Sequence, residues 1–201
     1  MRNKVFPSQI YSLNSIHLFL HEIEAIKRLL RHSWLSDGRQ ESVAEHTWRM
    51  CLMAMVLNNE LEHKVDLGKV VQMITVHDLA EARAGDYHAF EKVPSNKHQS
   101  EQKSLKEMVK NLNSNTQGLI TKLWKEFEEQ ITPEAKFAQA LDKLEVLIQH
   151  NEAGTKTWEP REYDFNYFYG YDKVNYSKVL TLLRDLVLEE TIDEIEKEEV
   201  K

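Results

Sequence analysis

Apolar residues recur at three- and four-residue spacing through most of this chain, and no segment stands out as alternating apolar with polar. Only six glycines and four prolines punctuate the 201 residues. Both features point to helices packed on helices. Ile16, Phe19, Leu20, Ile23, Ile26, Leu29 and Leu30 trace one face of a first helix, expected from about Ser15 to His32. A loop holding Ser36-Asp37-Gly38 follows. Ser42-Val43-Ala44-Glu45 then has the form of a capping box, which places His46 in the first turn of a helix reaching about Leu61. Asp66 is placed to cap the next helix, which carries His77-Asp78 and stops near Ala84-Gly85. Further helices are expected from Ser95 to Asn113, from Gln117 to Glu129, and from Thr132-Pro133, read as N-cap and N1, to Ala153-Gly154. An aromatic loop (Trp158 to Tyr171) leads to a last amphipathic helix over about Tyr176 to Ile195. The expected architecture is all-α, a single-domain bundle of about six to eight helices without repeat or linker. Its core spans about residues 15–155, its C-terminal loop and helix 156–195, and an acidic tail 196–201.

Composition narrows the function. A net charge of −7 and a pI near 5.7 argue against a binder of nucleic-acid polymers, which needs a basic patch. Part of the acidity sits in the run Glu189 to Glu199, read as a solvated helix end. No apolar run approaches the roughly 18–20 residues of a membrane span, and no signal-peptide core is visible at the start. A lone cysteine, Cys51, precludes an intrachain disulfide, suits the cytosol and sits among Met50, Leu52 and Met53 as a core residue.

The chemistry concentrates at Val76-His77-Asp78-Leu79-Ala80-Glu81. Ile74, Val76, Leu79 and Ala80 make this stretch apolar, and a bare carboxylate there needs a partner or a metal. Imidazole nitrogen beside carboxylate oxygen is a good ligand pair for a divalent first-row cation. His46 upstream and Asp142 downstream, each on its own helix, extend the pair to a candidate set of four. Asp142 borders the stripe Phe137, Leu141, Leu144 and Ile148. Glu81 returns to the face of His77 and Asp78 one turn on, where it overhangs the site without being a ligand. Asp86 follows Gly85 at the open end of the helix, where a loop residue can reach over a pocket.

The pattern His46 … His77-Asp78 … Asp142 resembles the HD-domain metal-dependent phosphohydrolases, an all-helical superfamily. Ser42-Val43-Ala44-Glu45-His46, His77-Asp78-Leu79-Ala80-Glu81, Gly85-Asp86 and Ala135-Lys136-Phe137 leading into Leu141-Asp142 resemble its 5′-deoxynucleotidase branch, over roughly residues 15–155. The resemblance implies that His46, His77, Asp78 and Asp142 ligate one divalent cation, and that Glu81 positions or deprotonates the attacking water. It implies that Asp86 holds the sugar and helps the leaving 5′-oxygen, and that Arg31 binds the phosphate. The next position is a tryptophan favouring 2′-deoxyribose in the bacterial enzymes; here it is His32, with Trp34 as a candidate substitute. A homodimer is implied as well.

The residue types suit such a reaction. A nucleoside monophosphate is a dianion near neutral pH, so water attack needs charge neutralisation by a metal and an arginine fork. Nitrogen and oxygen ligation without thiolate favours Mn, Co, Fe, Ni or Zn over calcium. The bland alternatives are a local His–Asp hydrogen bond, a helix-end cation for Arg31 and a turn cap for Asp86. His17 and His21, at i, i+4, read as an exposed face, and His63 and His150 as surface or helix-end residues. His88 and His98 stand where two-metal relatives place extra ligands. The final aromatics are assigned to packing or a dimer contact. Two other functions compete: an HD hydrolase of another phosphoester (a cyclic nucleotide or an alarmone), and a silent metal-stabilised nucleotide-binding scaffold. Ala82 counts against an alarmone hydrolase, which places Glu-Asp after the His-Asp pair, and Glu81 with Asp86 counts against a scaffold.

Overall fold

A computed structural model describes residues 7–86 and 96–199. Helix α1 spans Pro7–Glu22 and the single turn α2 spans Ala25–Arg28. The chain then turns extended. Strand β1 (Leu30–Trp34) pairs antiparallel with β2 (Gln40–Ser42) across a turn in which Gly38 takes φ 89°. This hairpin corrects the expectation of helix throughout and of a first helix reaching His32. Strands of five and three residues are too short to display alternation, and Leu29 and Leu30 carry the helical spacing past the point where the backbone leaves the helix. Val43 N donates to Leu29 O at 3.0 Å and fastens the hairpin to the next helix.

Helix α3 (Val43–Leu57) starts at the expected capping box: Ser42 accepts from Glu45 N, and the Glu45 carboxylate accepts from Ser42 N. Helix α4 (Leu67–Val76) is capped by Asp66. It ends at His77 instead of continuing to Ala84. Leu79, Glu81 and Ala82 donate three residues back, to Val76, Asp78 and Leu79. That tighter 3₁₀-type pattern separates α4 from the short α5 (Glu81–Ala84).

Helix α6 (Lys97–Val109) and α7 (Ser114–Glu129) follow, the expected start of α6 at Ser95 lying outside the described residues. Helix α8 (Pro133–Ala153) has the expected bounds, with Thr132 accepting from Ala135 N and proline in the first turn. The aromatic segment is helical rather than a loop. Glu159 and Glu162 form a capping box around Pro160, and α9 (Pro160–Phe168) and α10 (Tyr171–Val174) result. Helix α11 (Lys178–Glu199) extends beyond Ile195, so the described part of the acidic tail is helix.

Helix α8 is the axis of the bundle, with α3, α4, α7 and α11 packed on it. Its Phe137, Ala138, Ala140, Leu141, Leu144 and Leu147 are fully buried. Each large apolar side chain removed from water there contributes about 1.5–3 kcal/mol. Cys51 is half-buried at the margin of this core. On the far side, buried Arg184 of α11 donates to Tyr169 O and Asn166 O at 2.9 and 2.5 Å, closing the end of α9. Among the described residues, no helix is long and apolar enough to cross a membrane.

Candidate active site

Three elements bring the four candidate ligands together. His46 comes from the first turn of α3, His77 and Asp78 from the turn after α4, and Asp142 from the middle of α8. Ligand atoms of His46, His77 and Asp142 lie within 4.8 Å of one another. Asp78 Oδ2 is 2.9 Å from His77 Nε2, and Asp142 Oδ1 is 3.2 Å from His46 Nε2.

The ring orientations indicate what the cluster can hold. His77 Nδ1 donates to Ile74 O at 2.7 Å, and His46 Nδ1 donates to the buried carboxylate of Glu145. Both Nε2 atoms are thereby turned inward, and both are buried without a well-aligned hydrogen bond. A neutral imidazole nitrogen facing a carboxylate oxygen at 2.9 Å is one acceptor against another, and such a pair needs a proton or a cation between them. Two nitrogens and two carboxylates also match divalent-metal ligation. The residues present fit a metal ion.

The surrounding charges are strongly coupled. Burial and Arg31 work against a charged His46, but Glu145 and Asp142 outweigh them and raise it to about 9. Burial opposes ionisation of Asp78, yet His77, His46 and Arg31 hold it at about 2. Asp142, opposed by burial but held by Lys143 at 2.7 Å and by His46, stays well below the usual carboxylate range. Glu81 behaves oppositely: burial, Asp78 and Asp86 push its carboxyl up to about 10. Burial raises Asp86 too, with Asp78 adding to the shift and Arg31 opposing it.

Arg31 is a strand residue, not the end of a helix. Alternation along β1 sends neighbouring side chains to opposite sides. Arg31 reaches Asp78 Oδ2 at 3.6 Å and Glu41 Oε2 at 3.4 Å, whereas His32 Nε2 lies 3.4 Å from Glu162 Oε1. Arg31, His77, Asp78, Glu81, Asp86 and Asp142 line one cleft of about 470 Å³; His32 is not among its described lining residues. His98 joins that lining, 3.2 Å from Glu128 and stacked on Trp124, and His88 lies outside the described residues. His17 and His21 form an exposed pair with Nε2 atoms 3.1 Å apart. His150, expected at the surface, is buried against Asn166 and Trp158, because the unforeseen α9 covers it. A wider groove of about 1240 Å³ runs between α6 and α7, among lysines such as Lys103, Lys106 and Lys122, and contains none of the candidate ligands.

Sequence reading missed Glu145, Glu41, Lys97 and Lys143. Glu145 had a usable signal, since it stands one helical turn after Asp142 and shares its face. Glu41 had none: a charged residue in a three-residue strand carries no periodicity, yet it is only 1% exposed behind Arg31. Burial, opposed by the nearby cations, leaves its carboxyl at about 7, with Glu145 contributing to the rise.

Comparison with known proteins agrees with this geometry. Residues 23–183 match the family described as the HD domain. The chain is 31% identical over 174 residues to a Bos taurus protein named 5′-deoxynucleotidase HDDC2, covering 85% of this chain and 83% of that one. It is 29% identical to the Homo sapiens protein of the same name, covering 89% and 88%. A solved structure from Magnetospirillum magnetotacticum, titled a predicted metal-dependent phosphohydrolase, superposes with a TM-score of 0.82 at 27% identity, covering 95% of this chain and 97% of its own. The chain belongs to the HD-domain family, on the branch that includes proteins named 5′-deoxynucleotidases.

Proposed function

We propose that this protein is a metal-dependent 5′-deoxynucleotidase that releases inorganic phosphate from deoxynucleoside 5′-monophosphates. The convergence of Arg31, Asp78, Glu81, Asp86 and Asp142 on one cleft carries this reading, and the names of the relatives support it. His46, His77, Asp78 and Asp142 hold one divalent cation, with Mn, Co, Fe, Ni and Zn as the fitting metals. When bound, that ion polarises a phosphoryl oxygen and lowers the pKa of bound water. Arg31, braced by Glu41, receives the remaining phosphate oxygens through its fork.

Glu81 takes the proton of the attacking water. Burial, Asp78 and Asp86 keep its carboxyl protonated near neutral pH, and the charge of a bound cation would lower its proton affinity into the range of a general base. Asp86, at the cleft mouth, orients the sugar and delivers a proton to the departing 5′-oxygen. His32 faces Glu162 instead of the cleft, which leaves contact with the sugar to Asp86. Homodimerisation and a cytosolic setting complete the reading. Trp48, Met55 and Val56 stand 64%, 55% and 69% exposed along α3, an apolar stripe suited to a second copy.

A phosphate-release panel of 5′-deoxynucleotides, 5′-ribonucleotides, 3′-phosphates and cyclic nucleotides tests this. The 5′-deoxynucleotides are expected to be hydrolysed. Glu81→Ala is expected to lose activity by about 10²–10⁴-fold while the metal content stays unchanged. No release from any 5′-mononucleotide with Mn, Co, Ni or Mg overturns the assignment.

A further inference from the structure

The cleft has a second end that phosphate chemistry does not use. Phe127, with its ring 4.9 Å from that of His77, lines the same cleft as Gln130, Gln139 and Lys173. Gln130 is the left-handed cap of α7, at φ 55° and ψ 27°. Among the described residues it is the one non-glycine with positive φ. A long side chain held in that conformation is an outlier of the kind concentrated at ligand sites.

The hydrogen bonds there determine what this end offers. Lys173 Nζ donates to Gln130 Oε1 at 2.8 Å and lies 3.1 Å from Asp172 Oδ2. An ammonium only donates, so it fixes the amide with oxygen toward Lys173 and leaves the Gln130 NH₂ as a donor. Among the described residues Lys173 has these two partners, which leaves a third N–H. Buried Gln139 is pinned in turn, its Nε2 donating to Phe127 O at 3.3 Å. A smaller cavity of about 170 Å³ shares Gln130, Gln139 and Lys173 with the cleft and adds room beyond them.

We propose that Gln130 and Lys173 form a base-reading subsite that selects 5′-nucleotides whose base carries an oxygen at purine C6 or pyrimidine C4 (guanine, thymine, uracil) over adenine and cytosine, which carry an amino group there. This inference rests on the nucleotidase reading of the same cleft. With the phosphate at Arg31, the nucleoside extends toward Phe127 and its base meets two donors. Guanine O6 and N7, or the O4 of thymine and uracil, accept from them. The amino groups of adenine and cytosine set donor against donor. A site built to hydrogen-bond one edge rejects the other because its own groups are left unpaired.

The test compares kcat and KM for dGMP, dTMP, dAMP, dCMP and the baseless deoxyribose 5-phosphate, using the metal-loaded protein and two variants. Lys173→Met removes the ammonium. Gln130→Asn keeps a residue that tolerates the left-handed conformation but withdraws the amide by one methylene. In the wild type, kcat/KM for dGMP and dTMP should exceed that for dAMP and dCMP by about tenfold. In either variant the ratio of dGMP to deoxyribose 5-phosphate should fall by a similar factor, through KM, with Lys173→Arg restoring most of it. Equal kcat/KM for all four bases overturns the inference, as does a variant that loses dGMP and deoxyribose 5-phosphate activity in the same proportion. Calorimetric binding of deoxyguanosine against deoxyadenosine decides the matter apart from turnover. If no phosphomonoester is hydrolysed, the nucleotidase reading fails, while preferential deoxyguanosine binding lost in Lys173→Met still upholds the subsite.

Discussion

Helix α8 and the segment from His77 to Asp86 meet at the same cluster but are built in contrasting ways. Helix α8 runs 21 residues between a threonine N-cap and a glycine C-cap, and most of its side chains are buried. The segment 77–86 is two tight turns around a four-residue helix, ending in Gly85 at φ 81°. From α8 come Asp142 and Glu145, both held in the ionised form by neighbouring cations. From 77–86 come the ligands His77 and Asp78 at its start, with Asp78 held at about 2, and beyond them two groups with raised pKa values, Glu81 and Asp86. A packed helix fixes carboxylates among partners, where they can hold a cation. An irregular turn crowds carboxylates beside one another, where they can carry protons. The contrast is between groups that bind (Asp142 and Glu145 on α8, His77 and Asp78 at the end of α4) and groups that carry protons (Glu81 and Asp86), and each set is open to attack separately.

The largest effect is expected from emptying the core side of α8. Phe137→Ala removes a fully buried ring and should cost about 3–5 kcal/mol of stability, read from denaturant midpoints. The fraction that remains folded should retain its kcat, because Phe137 belongs to the core and is not among the residues that line the cleft. A fall in kcat larger than the fall in folded fraction breaks the division between scaffold and site.

The same contrast explains what the sequence made legible. The bounds of α8 were readable because Thr132-Pro133 and Gly154 mark them chemically and the apolar stripe between them is long. The capping box placed His46 for the same reason. The His77-Asp78 pair was visible as polar groups in an apolar stretch, but the break after Val76 was not. Its 3₁₀-type bonds need no glycine or proline and leave no mark on composition. The hairpin escaped notice because its pairing partners are supplied by a second strand, not by local pattern. For the same reason local spacing alone puts Arg31 on a helix and carries no sign that His32 faces Glu162 while Arg31 faces Asp78.

A smaller effect tests whether α8 binds through the outer carboxylate as well as through Asp142. Glu145→Gln keeps the volume and a hydrogen-bond acceptor for His46 Nδ1 but removes the negative charge behind the ring. Loss of such a partner lowers metal affinity by about 10–100-fold. Chelator competition on the loaded protein reads this directly, and kcat at saturating metal should change little. Unchanged affinity shows that Glu145 only fills space beside Arg49, which it also meets at 3.3 Å.

The smallest effect on stability should come from Gly85→Ala, and it separates the two regions most clearly. Among the described residues nothing lies within 4 Å of an added Cβ, so none of them clashes with the methyl group. The obstacle is the backbone, since φ 81° and ψ 159° is a region almost confined to glycine. The strain costs on the order of 1 kcal/mol if the conformation is kept. The chain can relieve it by rotating that one residue, and the neighbour that moves is Asp86. The midpoint of unfolding should therefore shift little, while KM for a 5′-deoxynucleotide rises and metal affinity stays constant, because His77 and Asp78 precede the hinge and Asp142 lies on α8. A variant that loses metal together with substrate affinity places Gly85 in the scaffold, and the boundary between the two regions then moves back to the end of α4.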